Sequence, residues 1–269
     1  MTKEVVLMRH LQDEDNLLVG GNDAGLIEAE LPKARHTAVE ISKKGKEREY
    51  DQIFIFSSSK KRAEITAREV GKELGKEFPV TIEVDSRIRE IDQGDYILPV
   101  DYKPGDRFQI LQDAWLIYFR ETFGNGNLEY RFGDPLQTDD EFKYPELAGH
   151  FRSFGENQIE FSIRFYSFIA DLCDRFEGKE KLLPVVVTHQ AMTARFAEVI
   201  RIAEKIKSGK IPRIEPGTMP LLEWQQFEEI NGNRDVFIEF GGVTTFPLSE
   251  LYGFNDILKL EIEHLKTIA

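Results

Sequence analysis

Short apolar runs that alternate with stretches of helical periodicity constrain this chain more than any other feature. Val5–Met8, Ile53–Phe56 and Leu182–Val187 are apolar runs of the length expected for strands buried on both faces, and Val80–Val84 reads as a further strand. Between them, Ala34, Ala38 and Ile41 recur at helical spacing, with Pro32 at a first-turn position and Gly45 where a C-cap would stand. Ala63, Ala67, Val70 and Leu74 mark one face of a second helix. Asn157–Phe176 is a long helix pattern closed by Gly178, and Met192, Phe196, Val199, Ala203 and Ile206 form the next helix face. Asp235–Phe246, interrupted by Gly241-Gly242, reads as two strands with a turn or bulge, and Leu251–Leu265 as a terminal helix. This alternation predicts a three-layer α/β/α fold with a mostly parallel central sheet and helices on both faces, as a single domain over 1–269. Residues 97–155 are too many for a simple connection and are expected to form a partly helical inserted cap, with Phe108–Phe123 helical and Gly124–Asn127 a loop.

Charge narrows the partners. The chain has 48 acidic and 35 Lys or Arg residues, a net charge of −13, which argues against nucleic acid and against anionic membrane surfaces. No apolar stretch approaches the ~20 residues needed to span a bilayer, and the amino terminus lacks the pattern of a signal peptide. The single cysteine, Cys173, excludes an intrachain disulfide and a cysteine-rich zinc site and is expected to be a small buried hydrophobe. A reducing cytoplasm is the expected location.

In a parallel α/β sheet, ligands bind beyond the carboxyl ends of the strands. Four strand ends carry chemistry here: Arg9-His10; Ser57-Ser58-Ser59 with Arg62 one turn later; Arg87, Arg89 and Glu90; and Thr188-His189. Two imidazoles, several guanidiniums and a carboxyl group suit phosphoryl transfer. Arginines hold the dispersed charge of the phosphoryl oxygens. A neutral imidazole can attack phosphorus, a second one, if protonated, can donate to the same oxygens, and a carboxylic acid can protonate the leaving oxygen. Asp92, and less so Asp95, compete with Glu90 for that last role.

With these residues in view, the chain resembles the histidine phosphatase superfamily, also called phosphoglycerate mutase-like, over most of residues 1–205. The family's Arg-His-Gly after the first strand stands here as Arg9-His10-Leu11, and Asn16 falls six positions after the histidine. Ser58-Ser59-Lys60-Lys61-Arg62-Ala63 through Thr66-Ala67 resembles the stretch after the second strand, in register when counted from Ser57. Ile88-Arg89-Glu90 through Gly94 resembles the segment of the acid. Gly155-Glu156-Asn157, with Arg164, resembles the start of the long helix, and Val185–His189 the last catalytic strand. The resemblance implies a metal-independent phosphomonoester hydrolase without cofactor. His10 would be the phosphorylated nucleophile and Glu90 the proton donor. Arg9, Arg62 and His189 would hold the phosphate, with Asn16 and Gln190 beside it, and the partner would be a small phosphorylated substrate.

Several residues depart from the pattern. Leu11 replaces the family's glycine beside the nucleophile, and Asp13 begins an acidic run, Asp13-Glu14-Asp15, expected to disfavour heavily phosphorylated substrates. These two motivate the alternative of a non-catalytic phospholigand-binding protein. Gln190-Ala191 after His189, and Ile91 after the acid, differ from the mutase pattern and favour hydrolysis over a phosphoglycerate mutase-type transfer. His36, His150 and His264 are expected to be structural or exposed, and a metal site on His10 and His189 lacks a third ligand at recognisable spacing. Lys103, Arg107, Arg120, Arg131 and Arg152 lie among aromatics of the insert, which suits either contact with the rest of a substrate or a small helical core. Dimerisation through 97–155, giving a homodimer, is a further role open to it.

Overall fold

The computed structural model describes residues 3–12, 28–92, 95–96, 118, 121–122, 129–131, 151–153, 155–210 and 239–269. Asn16, the acidic run 13–15, the helix and loop expected within 108–127 and the first strand of 235–246 lie outside the described residues, apart from scattered positions. The strands are β1 (Glu4–Arg9), β2 (Gln52–Ser58), β3 (Val80–Asp85), β4 (Asp95–Tyr96), β5 (Phe151–Ser153), β6 (Leu182–Thr188) and β7 (Val243–Pro247). The helices are α1 (Leu31–Glu47), α2 (Lys61–Leu74), α3 (Gln158–Phe176), α4 (Gln190–Lys207), α5 (Leu248–Tyr252) and α6 (Asn255–Ile268).

Five strands form the central sheet in the order β3-β2-β6-β1-β7. The β1–β6, β2–β6 and β2–β3 pairs are parallel, and β7 runs antiparallel to β1. The apolar runs read as buried because each side of the sheet is covered. Alternate residues Val6, Met8, Ile53, Ile55, Val185 and Val187 pack under α1 and α2. Val5, Leu7, Phe56 and Val186 pack under α3, α4, α5 and α6 on the other side. This is the α/β architecture with a mostly parallel sheet that the alternation predicts. β4 and β5 form a separate antiparallel pair.

Three local expectations change. Gly45 does not cap α1, which continues to Glu47; the residue with positive φ that follows is Glu49, at 53°. Gly45 sits inside the helix because Phe78 lies against it: a Cβ there would come 2.8 Å from the ring. β2 extends two residues beyond the apolar run and takes in Ser57 and Ser58. The expected terminal helix is two helices, broken around Gly253 and the buried Phe254. The long helix starts as expected, and Asn157 and Glu160 close its first turn with reciprocal hydrogen bonds to each other's backbone amides.

No helix of the described residues is long and apolar enough to cross a membrane. Cys173 is a buried free thiol whose burial pushes its pKa up to about 12.

Candidate active site

Strand order and direction assemble the site. The carboxyl ends of β3, β2, β6 and β1 lie side by side and lead to Glu90, Arg62, His189 and His10 in that spatial order. The register pairs Arg9 with Thr188, so the two histidines follow neighbouring strands at the same level, and the His10 amide donates to the Thr188 carbonyl at 3.0 Å. Because β7 is antiparallel, its amino end reaches this same edge, and Met8 pairs with Val243. That brings Phe240, Gly241 and Gly242 against Arg9 and His10. Two helices, α2 and α4, begin directly at the site, so their positive dipole ends border it.

The imidazoles lie 5.0 Å apart, centre to centre, and both are buried. Nδ1 of His10 lies 2.6 Å from the Leu11 carbonyl, and Arg62 Nε donates to His10 Nε2 at 3.2 Å. A carbonyl can only accept and a guanidinium can only donate, so the proton sits on Nδ1 and the lone pair on Nε2. The same logic fixes His189. Arg62 Nη2 donates to its Nδ1 at 3.3 Å, which leaves Nε2–H to donate to Ser58 Oγ at 2.9 Å. One arginine thus addresses the bare nitrogen of each ring. Burial, reinforced by Arg62, lowers the His10 pKa to about 3. Burial and the neighbouring His10 hold His189 well below the usual imidazole range.

Glu90 approaches from the β3 side, its Oε2 4.0 Å from His189 Nδ1. Burial raises its pKa, and the Arg62 charge opposes that rise. Asp92 instead contributes to the field at Lys60, whose pKa burial lowers. Arg9 stacks its guanidinium 3.8 Å from the centre of the Phe240 ring, which also packs against His10 at 5.5 Å. Gln190 is the first residue of α4 and half-buried. Asn16 lies outside the described residues.

Leu11 does not fill this pocket. Its side chain is fully buried in the core under α1 and α2, and its backbone φ is not positive. The Leu11 amide donates to Thr66 Oγ1 at 3.0 Å, which in turn donates to the Arg62 carbonyl at 2.7 Å. Gly241, with φ of 78°, makes the space: a Cβ there would come 2.7 Å from Leu11 Cδ2. The Gly241 amide reaches the Arg9 and His10 carbonyls at 3.1 and 3.2 Å. Phe240 and Thr66 join the site without being among the sequence candidates, and the Ser58 hydroxyl, at a candidate strand end, is the partner of His189. Phe240 carried no local signal, because only the antiparallel pairing of β7 with β1 brings it here. Among the described residues, no group of three His, Cys, Asp or Glu is arranged to hold a metal ion.

A family model then fits the segment that carries most of these groups. Residues 5–110 match the histidine phosphatase superfamily, branch 1. That segment holds His10, Arg62 and Glu90, and the adjacent-strand histidine, His189, lies beyond it. No curated protein matches the chain. Among solved structures, the chain is similar to a phosphoserine phosphatase mutant from Entamoeba histolytica in complex with phosphoserine: 18% identity, 91% of this chain, 90% of that one, TM-score 0.49. It is also similar to phosphoglycerate mutase from Bacillus anthracis str. Sterne, with 18% identity over 75% of this chain and 82% of that one, TM-score 0.48. A mycobacterial glucosyl-3-phosphoglycerate phosphatase shares 19% identity over 74% of this chain and 80% of that one, TM-score 0.47.

Proposed function

We propose that this chain, similar over residues 5–110 to the histidine phosphatase superfamily, is a metal-independent phosphomonoester hydrolase that works through a phosphohistidine on His10. The observation that carries the reading is the hydrogen bonding of His10: Nδ1 lies against the Leu11 carbonyl, which leaves the lone pair on Nε2, where Arg62 donates, with the His189 ring 5.0 Å away centre to centre. A depressed pKa keeps that lone pair free of a proton at neutral pH.

In the first step, His10 Nε2 forms a bond to phosphorus as the phosphorus–oxygen bond to the leaving group breaks. Arg9, Arg62 and His189 hold the phosphoryl oxygens, with Gln190 beside them. The leaving oxygen takes the electron pair of the broken bond and a proton from Glu90, whose raised pKa favours its acid form. Water then attacks phosphorus and gives a proton to the Glu90 carboxylate. The nitrogen–phosphorus bond breaks, its electron pair returns to His10, and inorganic phosphate leaves. His189, held neutral by burial, gains a proton more easily once a phosphate dianion lies beside it.

The test is release of chromophore from para-nitrophenyl phosphate, with a chelator present, by the parent chain and by His10→Ala. Chelator-resistant turnover that His10→Ala loses is expected. Tight phosphate binding without turnover would instead make the chain a phospholigand-binding protein, and turnover that needs a bisphosphate primer would make it a mutase.

A further inference from the structure

The carboxyl group of Glu90 rides on residues 87–92, a segment outside regular strand structure after β3. The segment makes few bonds of its own, Arg89 N–H to the Ser86 carbonyl at 3.2 Å and Ile91 N–H to Glu90 Oε1 at 3.2 Å, and is tied to the rest of the fold by Glu156, just before α3, and Arg164 of α3. Glu156, buried, accepts from the Asp92 amide at 2.8 Å and from Arg89 Nη2 at 3.4 Å. The Glu156 amide returns a bond to the Asp92 carbonyl at 3.0 Å. Arg164 lies two turns along α3 and forms a fork on Glu156: Nε donates to Oε2 at 2.8 Å, and Nη2 donates to Oε1. The rest of the same guanidinium is spent on the segment's carbonyls. Nη1 donates to Arg87 at 2.7 Å and Arg89 at 3.0 Å, and Nη2 to Glu90 at 3.3 Å. From the other side, Thr188 Oγ1 donates to the Ile88 carbonyl at 2.7 Å.

From these contacts we infer that Glu156 and Arg164 are positioning residues that clamp the backbone on both sides of Glu90 and so aim the proton donor at the leaving oxygen. Among the described residues no hydrogen bond joins either side chain to His10 or His189; the Arg164 charge adds to the field at His189 and Glu90, while every backbone bond of the pair falls on the segment that carries Glu90. A carbonyl array gripped by one planar guanidinium has little freedom to shift, because each bond fixes the fork that makes the others. The catalytic half of the inference rests on the phosphohistidine reading; the structural half does not.

A leaving group that needs a proton exposes the clamp, and one that does not hides it. The parent, Glu156→Gln and Arg164→Met are compared by kcat/KM on para-nitrophenyl phosphate, whose phenolate departs unaided, and on β-glycerophosphate, whose alkoxide requires an acid. Loss of a positioned general acid predicts about a 10²-fold drop on the alkyl ester. The drop on the aryl ester should be smaller by at least about tenfold, since its departure depends little on the acid. A merely structural role would lower both esters alike, and that result overturns the inference. Hydrogen exchange is measured on the same proteins. Amides of Arg89 to Asp92 should exchange faster in both variants while those of β6 do not change, and unchanged exchange at Arg89 to Asp92 also overturns it. Where Arg164→Met does not fold, Glu156→Gln, which keeps the shape of the side chain and removes its charge, supplies both readouts. Absence of His10-dependent turnover in the parent overturns the hydrolase reading and the clamp's catalytic part together; exchange still decides whether the clamp holds the segment.

Discussion

Leu11 stands where a glycine would be expected, and the structure makes that substitution depend on a distant residue. The perturbation that exposes the dependence is Gly241→Ala. An alanine at φ of 78° enters the left-handed region, at about 1–2 kcal/mol. Its Cβ would also come 2.7 Å from Leu11 Cδ2, and Leu11 is fully buried, so relief requires repacking the core under α1 and α2. Overpacking of this kind costs about 1–3 kcal/mol. The sum is roughly 2–5 kcal/mol of lost stability. Leu11→Ala alone should cost about 2–5 kcal/mol, the usual range for emptying a core leucine site. The double variant removes the overlap but keeps the strain and part of the cavity. Its loss should therefore fall short of the sum of the single losses by about 1–3 kcal/mol. Urea unfolding of the four proteins measures this directly, provided the slope with denaturant stays constant across the cycle. Single losses that add within about 0.5 kcal/mol would refute the argument that Leu11 is accommodated by the missing Cβ of Gly241.

Two further outcomes follow from the buried imidazoles. His10 and His189 have folded-state pKa values below those of the unfolded chain, so below the ordinary imidazole range the unfolded chain binds more protons, and stability falls as pH falls. Their contribution should be lost progressively from about pH 6.5 down through about pH 3, and His10→Ala should flatten that slope in a chemical-denaturation series; an unchanged slope would mean His10 is not held neutral by burial. Phosphate binding should raise the depressed His189 pKa, because the bound oxyanion favours the protonated ring. NMR titration of the His189 ring with and without phosphate reads the shift, and an unchanged ring would remove His189 as a charged donor.

What the sequence made legible and what it hid differ for a physical reason. A strand buried on both faces is an apolar run, so Val5–Met8 and Leu182–Val187 announce themselves, and a residue next to such a run in sequence is next to it in space. His10, His189, Arg62 and Glu90 could therefore be placed at one sheet edge before any strand order was known. Local end signals were less secure. Gly45 has the right residue type and position for a C-cap, yet it is needed inside α1 for the Phe78 ring, a contact made with the chain just before β3. The break between α5 and α6 has no local signature because apolar periodicity runs across it, and Phe254 at the break is itself buried. Phe240 and Gly241 were legible only as a turn. Their meeting with Arg9, His10 and Leu11 is a pairing across more than two hundred residues, and no local pattern encodes which strand β7 will join.

The electrostatic design of the site follows from the same topology. Strand ends converge, so the two imidazoles and Glu90 must share a small buried volume, and burial alone pushes each toward its neutral form. For a hydrolase of the proposed kind those are the useful forms: an unprotonated nucleophile, an acid that still carries its proton, and a second imidazole able to accept one when an oxyanion arrives. The positive charge needed to attract phosphate is supplied by groups that do not lose it on burial. Arg62 sits between the imidazoles and Arg9 lies on the face of Phe240; Arg164, paired with Glu156, is not among them and holds the segment of Glu90 instead. Replacing Arg62 by lysine would keep a cation but lose the planar fork that reaches both rings at once. A cation that can lose its proton in a buried, positive site is a weaker solution to the same problem.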